Sequence, residues 1–176
     1  MERASNSDAF GLLGLPAQFD LDPQVIERAF HDKSKELHAD KFATAPAAER
    51  VAALSRSRAI NDAYKTLKSP VARAEYLLAR AGVTIGDNER LDPAFLMEIL
   101  ELREELAEAR VAKQTSLIEK LCGEMKTRRK ASLEKLPALF ATNDLHAIKE
   151  QLMLLRYVDR YLEECDSALD PDAEEA

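Results

Sequence analysis

Three dipeptides decide most of what this chain can fold into. Asp22-Pro23, Ser69-Pro70 and Asp92-Pro93 each set a capping side chain directly before a proline. The oxygen of the first residue can accept from an orphan N–H of a first helical turn, and proline at the first helical position gives up no needed donor. Apolar residues return at helical spacing after each dipeptide, which predicts helices over 23–37, 70–81 and 93–112. The same spacing predicts a short helix over 8–13, stopped near Gly14-Leu15-Pro16, and longer ones over 48–68, 116–140 and 144–167. Leu54, Ile60, Tyr64 and Leu67 form the expected apolar stripe of the 48–68 helix, and Pro137 marks a point of bending near the end of the 116–140 helix. Alanine, leucine and glutamate dominate, and runs of β-branched residues are absent, so the fold class is all-α.

The polar, glycine-containing stretch VTIGDNERLD interrupts this pattern once. It divides the chain into an N-terminal helical domain over 8–81, a linker over 82–92, a C-terminal three-helix domain over 93–167 and an acidic tail over 168–176.

Several classes of function are disfavoured. The formal net charge of −7 argues against a nucleic-acid backbone as main partner. No apolar run is long enough to span a bilayer, and MERASNSDAF has no signal-peptide core, so the expected location is cytoplasmic. Cys122 and Cys165 stand in no CxxC arrangement and read as two buried thiols in a reducing compartment. His31, His38 and Asp40 are the candidate metal ligands, but their spacing matches no tight ligand pair. There is no Gly-rich phosphate loop and no GxSxG, and the carboxylates lie beside lysines and arginines as on solvated helix faces. The expectation is a protein that is not an enzyme and carries no cofactor. KTRRK at 126–130 alone suggests an RNA or membrane contact, but it is read the same way, as a solvated face offsetting nearby glutamates.

Protein binding remains, and two segments offer it. Arg28, Lys33, Lys35 and Lys41 form a local cationic set, ending at His38-Ala39-Asp40 between two helices. In FLMEILELREELAE, Phe95, Ile99, Leu102 and Leu106 make a core stripe, while Leu96, Met97 and Leu100 fall roughly 100–200° away from Phe95 at 100° per residue. Glu101, Glu104 and Glu108 lie close behind, so the helix carries an apolar patch edged by carboxylates, as partner surfaces often are. Packing of Leu96 and Leu100 against a third helix is the alternative.

FGLLGLPAQFDLDPQ, LHADKF, INDAYKTLKSPVARAEYLL and above all FLMEILELREELAEA resemble the HscB family, the J-type co-chaperones of bacterial iron–sulfur cluster assembly. The resemblance runs from about Asp8 to about Leu162 and implies a J-domain, an antiparallel helical hairpin plus short helices, followed by a C-terminal three-helix bundle. It implies that Arg28, Lys33, Lys35, His38, Ala39, Asp40 and Lys41 meet an Hsp70-class chaperone of the HscA type. It implies that Leu96, Met97, Leu100, Glu101, Glu104, Glu108 and Tyr157 bind the cluster scaffold IscU. The implied function is delivery of that scaffold and stimulation of the chaperone's ATPase. One departure stands out: the family's His-Pro-Asp tip reads His38-Ala39-Asp40 here. Without proline's fixed φ the loop loses about 0.4–1 kcal/mol of preorganisation. Other readings are a general J-protein with another client, a helical adaptor that Ala39 has released from Hsp70 engagement, and a metal-binding helical protein using His31, His38 and Asp40.

Overall fold

The structure is a computed structural model that describes residues 8–37, 42, 44–86, 89 and 91–170. Seven helices and no strand occur among the described residues: α1 (Ala9–Leu13), α2 (Pro23–Glu36), α3 (Ala47–Lys68), α4 (Pro70–Arg80), α5 (Pro93–Val111), α6 (Thr115–Thr142) and α7 (Leu145–Leu169). They form two compact units, residues 1–82 and 83–176.

Local chemistry sets the helix ends. The side chains of Asp22, Ser69, Asp92 and Asp144 accept from N–H groups of the first turns of α2, α4, α5 and α7, three of them directly ahead of proline. Asp8 does the same for α1, which closes at Gly14 in the left-handed region, φ 70°. Asn143 takes that role after α6 at φ 55°, and α7 then continues to Leu169, two residues past the expected end. Pro137 lies inside α6 without interrupting it.

In the N-terminal unit α1, α2 and α3 share a core of Phe10, Leu13, Ile26, Ile60 and Leu67, with Phe30 and Leu37 half-buried at its edge. Phe30 stacks on Tyr64 at 4.1 Å between centroids. The Tyr64 hydroxyl donates to Glu27 at 2.6 Å and accepts from Lys68 at 2.8 Å, which ties α2 to α3. That hydrogen bond from Tyr64 is the main reason the Glu27 carboxyl is held below its ordinary range. Leu54 departs from the expected stripe. It lies about 120° round the helix from Ile60, is exposed, and leaves Ala53 as the buried residue of that turn.

In the C-terminal unit α7 buries Ile148, Leu152, Met153, Leu155, Val158, Tyr161 and Cys165, and α6 buries Leu121, Cys122, Met125 and Leu136. Cys122 and Cys165 are free thiols in this core, and burial pushes the Cys165 thiol up. Two arginines of the 126–130 run bridge helices: Arg128 donates twice to Glu98 of α5, at 2.6 and 2.8 Å, and Arg129 to Asp159 of α7 at 2.6 Å. Arg103 of α5 pairs with Glu164 of α7.

Two outcomes follow from this packing. Leu152 is fully buried, so Leu152→Ala should lower the unfolding free energy by about 2–5 kcal/mol, read by chemical denaturation. The Arg128 hydrogen bonds hold Glu98 below its ordinary value of 4.5. A depressed folded-state pKa contributes stability that is complete above 4.5 and is lost as pH falls through the lower, folded value. Glu98→Gln should therefore flatten the stability–pH curve in that acid window while changing little of its shape near neutrality. An unchanged curve would mean that the pair is too screened to matter.

Candidate protein-binding interface

The cap at Asp92 and the apolar stripe of α5 decide which way its remaining side chains point. Phe95, Ile99, Leu106 and Ala109 are buried against α6 and α7, and Leu102 packs at their edge. The helix is then committed in rotation. Met97 is 58 % exposed and Leu100 52 %, with Leu96 half-buried beside them. Glu101, Glu104 and Glu108 are exposed on the same side and make no ion pair with any described residue. Among the described residues of its own unit, no helix covers Met97 or Leu100.

Tyr157 sits at the other edge of α5. It is half-buried on the bundle core and meets Phe95 edge-on, at 6.3 Å and 87°. The guanidinium of Arg128 lies 5.0 Å from the centre of the Phe95 ring while it holds Glu98. This buttress of Arg128, Glu98, Phe95 and Tyr157 fixes the first turns of α5; Glu98 does not stand out in the sequence, and Arg128, within KTRRK, reads there only as part of a solvated face. Their separation of 30 residues hides them from any local pattern.

On α2 the cationic set is less free than its sequence implies. Lys33 reaches Glu36 at 3.3 Å and Lys35 reaches Asp32 at 3.9 Å, each within its own helix. The Arg28 Nε donates to the Gln24 carbonyl at 3.2 Å. His31 lies 3.4 Å from Glu27 and is exposed. His38, Ala39, Asp40 and Lys41 lie outside the described residues. Among the described residues no group of three His, Cys, Asp or Glu side chains could hold a metal ion, and no helix is long and apolar enough to cross a membrane.

The comparisons with known proteins agree with one another. Residues 91–166 match the model of the HSCB C-terminal oligomerisation domain. The co-chaperone HscB homologue of Burkholderia multivorans is 34 % identical over 92 % of this chain and 93 % of its own length, and that of Paraburkholderia phymatum 32 % identical over 94 % and 95 %. The solved chaperone HscB from Vibrio cholerae superposes with a TM-score of 0.80 at 35 % identity, over 90 % of this chain and 95 % of that one. Human co-chaperone HscB superposes with a TM-score of 0.84 at 27 % identity, over 94 % and 83 %. This chain belongs to the HscB family of co-chaperones, with an N-terminal J-domain followed by a C-terminal three-helix domain.

Proposed function

We propose that the protein is an adaptor in iron–sulfur cluster assembly: its C-terminal domain holds the scaffold IscU and its J-domain brings that cargo to an Hsp70-class chaperone of the HscA type, whose ATPase it stimulates. The observation that carries this reading is the outer face of α5, where Met97 and Leu100 stand exposed beside Glu101, Glu104 and Glu108. Adjacent exposed apolar side chains edged by unpaired carboxylates suit a docking surface, and the carboxylates select a partner with a basic rim. Leu96 lends apolar area from the side, and Tyr157 adds an aromatic edge near the start of the helix. Nothing in this role needs chemistry from the chain itself. Tethering scaffold and chaperone raises the local concentration of one for the other.

The chaperone contact is assigned to Arg28, Lys33, Lys35 and the tip residues His38, Ala39, Asp40 and Lys41. Family membership supports this assignment. The intrahelical pairing of Lys33 and Lys35 shifts the weight of it toward Asp40, whose carboxylate suits a charge-assisted hydrogen bond to a chaperone arginine.

Two experiments test the two ends separately. Leu96→Ala, Met97→Ala and Leu100→Ala together should weaken IscU binding by about 100-fold in calorimetry, since anchors of this kind contribute about 1 kcal/mol or more each. The exposed pair should cost less than about 0.5 kcal/mol of stability per site, so unchanged IscU affinity in the folded variant removes this face from the account. At the other end, Ala39→Pro should raise ATPase stimulation by about two- to fivefold through preorganisation, leaving IscU affinity as it was. If Ala39→Pro has no effect and Asp40→Asn costs nothing, the tip is out of use and the chain acts as an adaptor released from Hsp70.

A further inference from the structure

Many surface charges on these helices close on a neighbour, as Lys33 does on Glu36, Lys120 on Glu124 and Arg103 on Glu164. Two exposed faces set an aliphatic pair beside charges that do not. On α3, Val51 is 64 % exposed and Leu54 56 %, three residues apart, and Arg50 and Arg58 on the same side pair with no described carboxylate. On α5, Met97 and Leu100 are likewise three apart and exposed, and Glu101, Glu104 and Glu108, which follow them, pair with no described cation. At 100° per residue, Arg50, Val51, Leu54 and Arg58 span a sector of about 100°, and so do Leu100, Glu104, Met97, Glu108 and Glu101. The faces match in angular width and are opposite in charge; the arginines bracket the pair on α3, and the glutamates follow it on α5.

The units that carry them differ in the same sense. Residues 1–82 hold twelve lysines and arginines against eleven carboxylates, whereas residues 83–176 hold thirteen against twenty-one. The net charge of −7 thus comes from the unit containing α5.

We infer that the outer face of α3 is a docking surface for the outer face of α5 in a second copy of this chain. With the two helices parallel and the aliphatic pairs in contact, Arg58 comes level with Glu104, and Arg50 has Glu101 as its nearest unpaired carboxylate, about 7.5 Å away along the axis. The description of residues 91–166 as an oligomerisation domain fits self-association through this unit but names no surface, and α3 lies outside those residues. Because α5 offers one outer face, a second copy and the scaffold compete for it. That competition, unlike the self-association, rests on the scaffold reading above. Scaffold binding then releases the copy, and with it the α3 face. Each helix contributes only four or five side chains, so the contact falls below the area of a stable dimer, and association is weak and salt-sensitive.

Sedimentation equilibrium of the full chain tests this, from about 10 µM to about 1 mM at low and at high salt. The expected result is an average mass that rises with concentration at low salt and stays monomeric at high salt. Arg50→Glu with Arg58→Glu should abolish the rise, as should Glu101→Arg with Glu104→Arg, and mixing the two variants should restore association between them. A constant monomer mass, a rise that survives the α3 changes, or a failure of the mixed variants to associate overturns the inference. Calorimetry with IscU separates the two readings. The α3 double variant should bind the scaffold unimpaired at concentrations where the native chain self-associates. If IscU binds neither protein while the native chain still self-associates, the scaffold reading fails and the α3–α5 contact stands.

Discussion

The seam between α6 and α7 is what the C-terminal domain depends on. Helix α7 is the most deeply committed element of the chain, with Ile148, Leu152, Leu155, Val158 and Cys165 fully buried along its length. A two-helix seam still leaves one side of its core open to water, and α5 closes that side. It does so with one stripe, Phe95, Ile99, Leu106 and Ala109, and is fixed along its length by Glu98 to Arg128, the Tyr161 hydroxyl to the Leu102 carbonyl at 3.3 Å, and Arg103 to Glu164. Burial of the Tyr161 ring raises its pKa, so the hydroxyl stays a donor to that carbonyl throughout the ordinary pH range. A helix held by one stripe and three cross-links cannot rotate to hide its other apolar residues. Exposure of Met97 and Leu100 is therefore a consequence of how well the opposite side is packed.

The J-domain solves a different problem, the sharp turn from α3 into α4. Ser69 ends one helix and caps the next, and the turn leaves the last carbonyls of α3 without helical partners. Arg73 supplies one: its Nη1 donates to the Leu67 carbonyl at 2.6 Å from a buried position, with its guanidinium 5.1 Å from the centre of the Phe19 ring. Desolvation lowers the Arg73 pKa, and its Nε finds no partner, so the turn is bought with a buried cation. The aromatic face of Phe19 and the field of Asp20 offset part of that cost.

What was legible in the sequence was what is local. Caps and prolines located the starts of α2, α4 and α5 because a capping bond spans two or three residues. The angular arithmetic on α5 separated its buried stripe from Met97 and Leu100 because one long, well-capped helix keeps its phase. Leu54 was misplaced for the converse reason. The six-residue step from Leu54 to Ile60 turns about 120° off the stripe, so the large side chain falls outside it while a small one, Ala53, fills the core. The roles of Arg128 and Arg129 were hidden because their partners lie 30 residues away on other helices. The pairing of Lys33 with Glu36 and Lys35 with Asp32 was within reach of an i,i+3 reading, which counts charges against their neighbours as well as by sign.

That last distinction bears on how a J-type adaptor presents charge. A lysine already paired on its own helix must break or share that pair to bind a partner, which reduces what the new contact gains. Charges left without neighbours meet a partner at full strength and dominate its approach. By this measure α2 is nearly neutral: Arg28, Lys33 and Lys35 stand among Glu27, Asp32 and Glu36. On α3 and α5, by contrast, Arg50, Arg58, Glu101, Glu104 and Glu108 stand unpaired beside exposed aliphatic residues. Apolar area at the centre supplies affinity and an unpaired rim supplies selection, so both requirements of a weak, exchangeable contact meet on two helix faces of opposite sign.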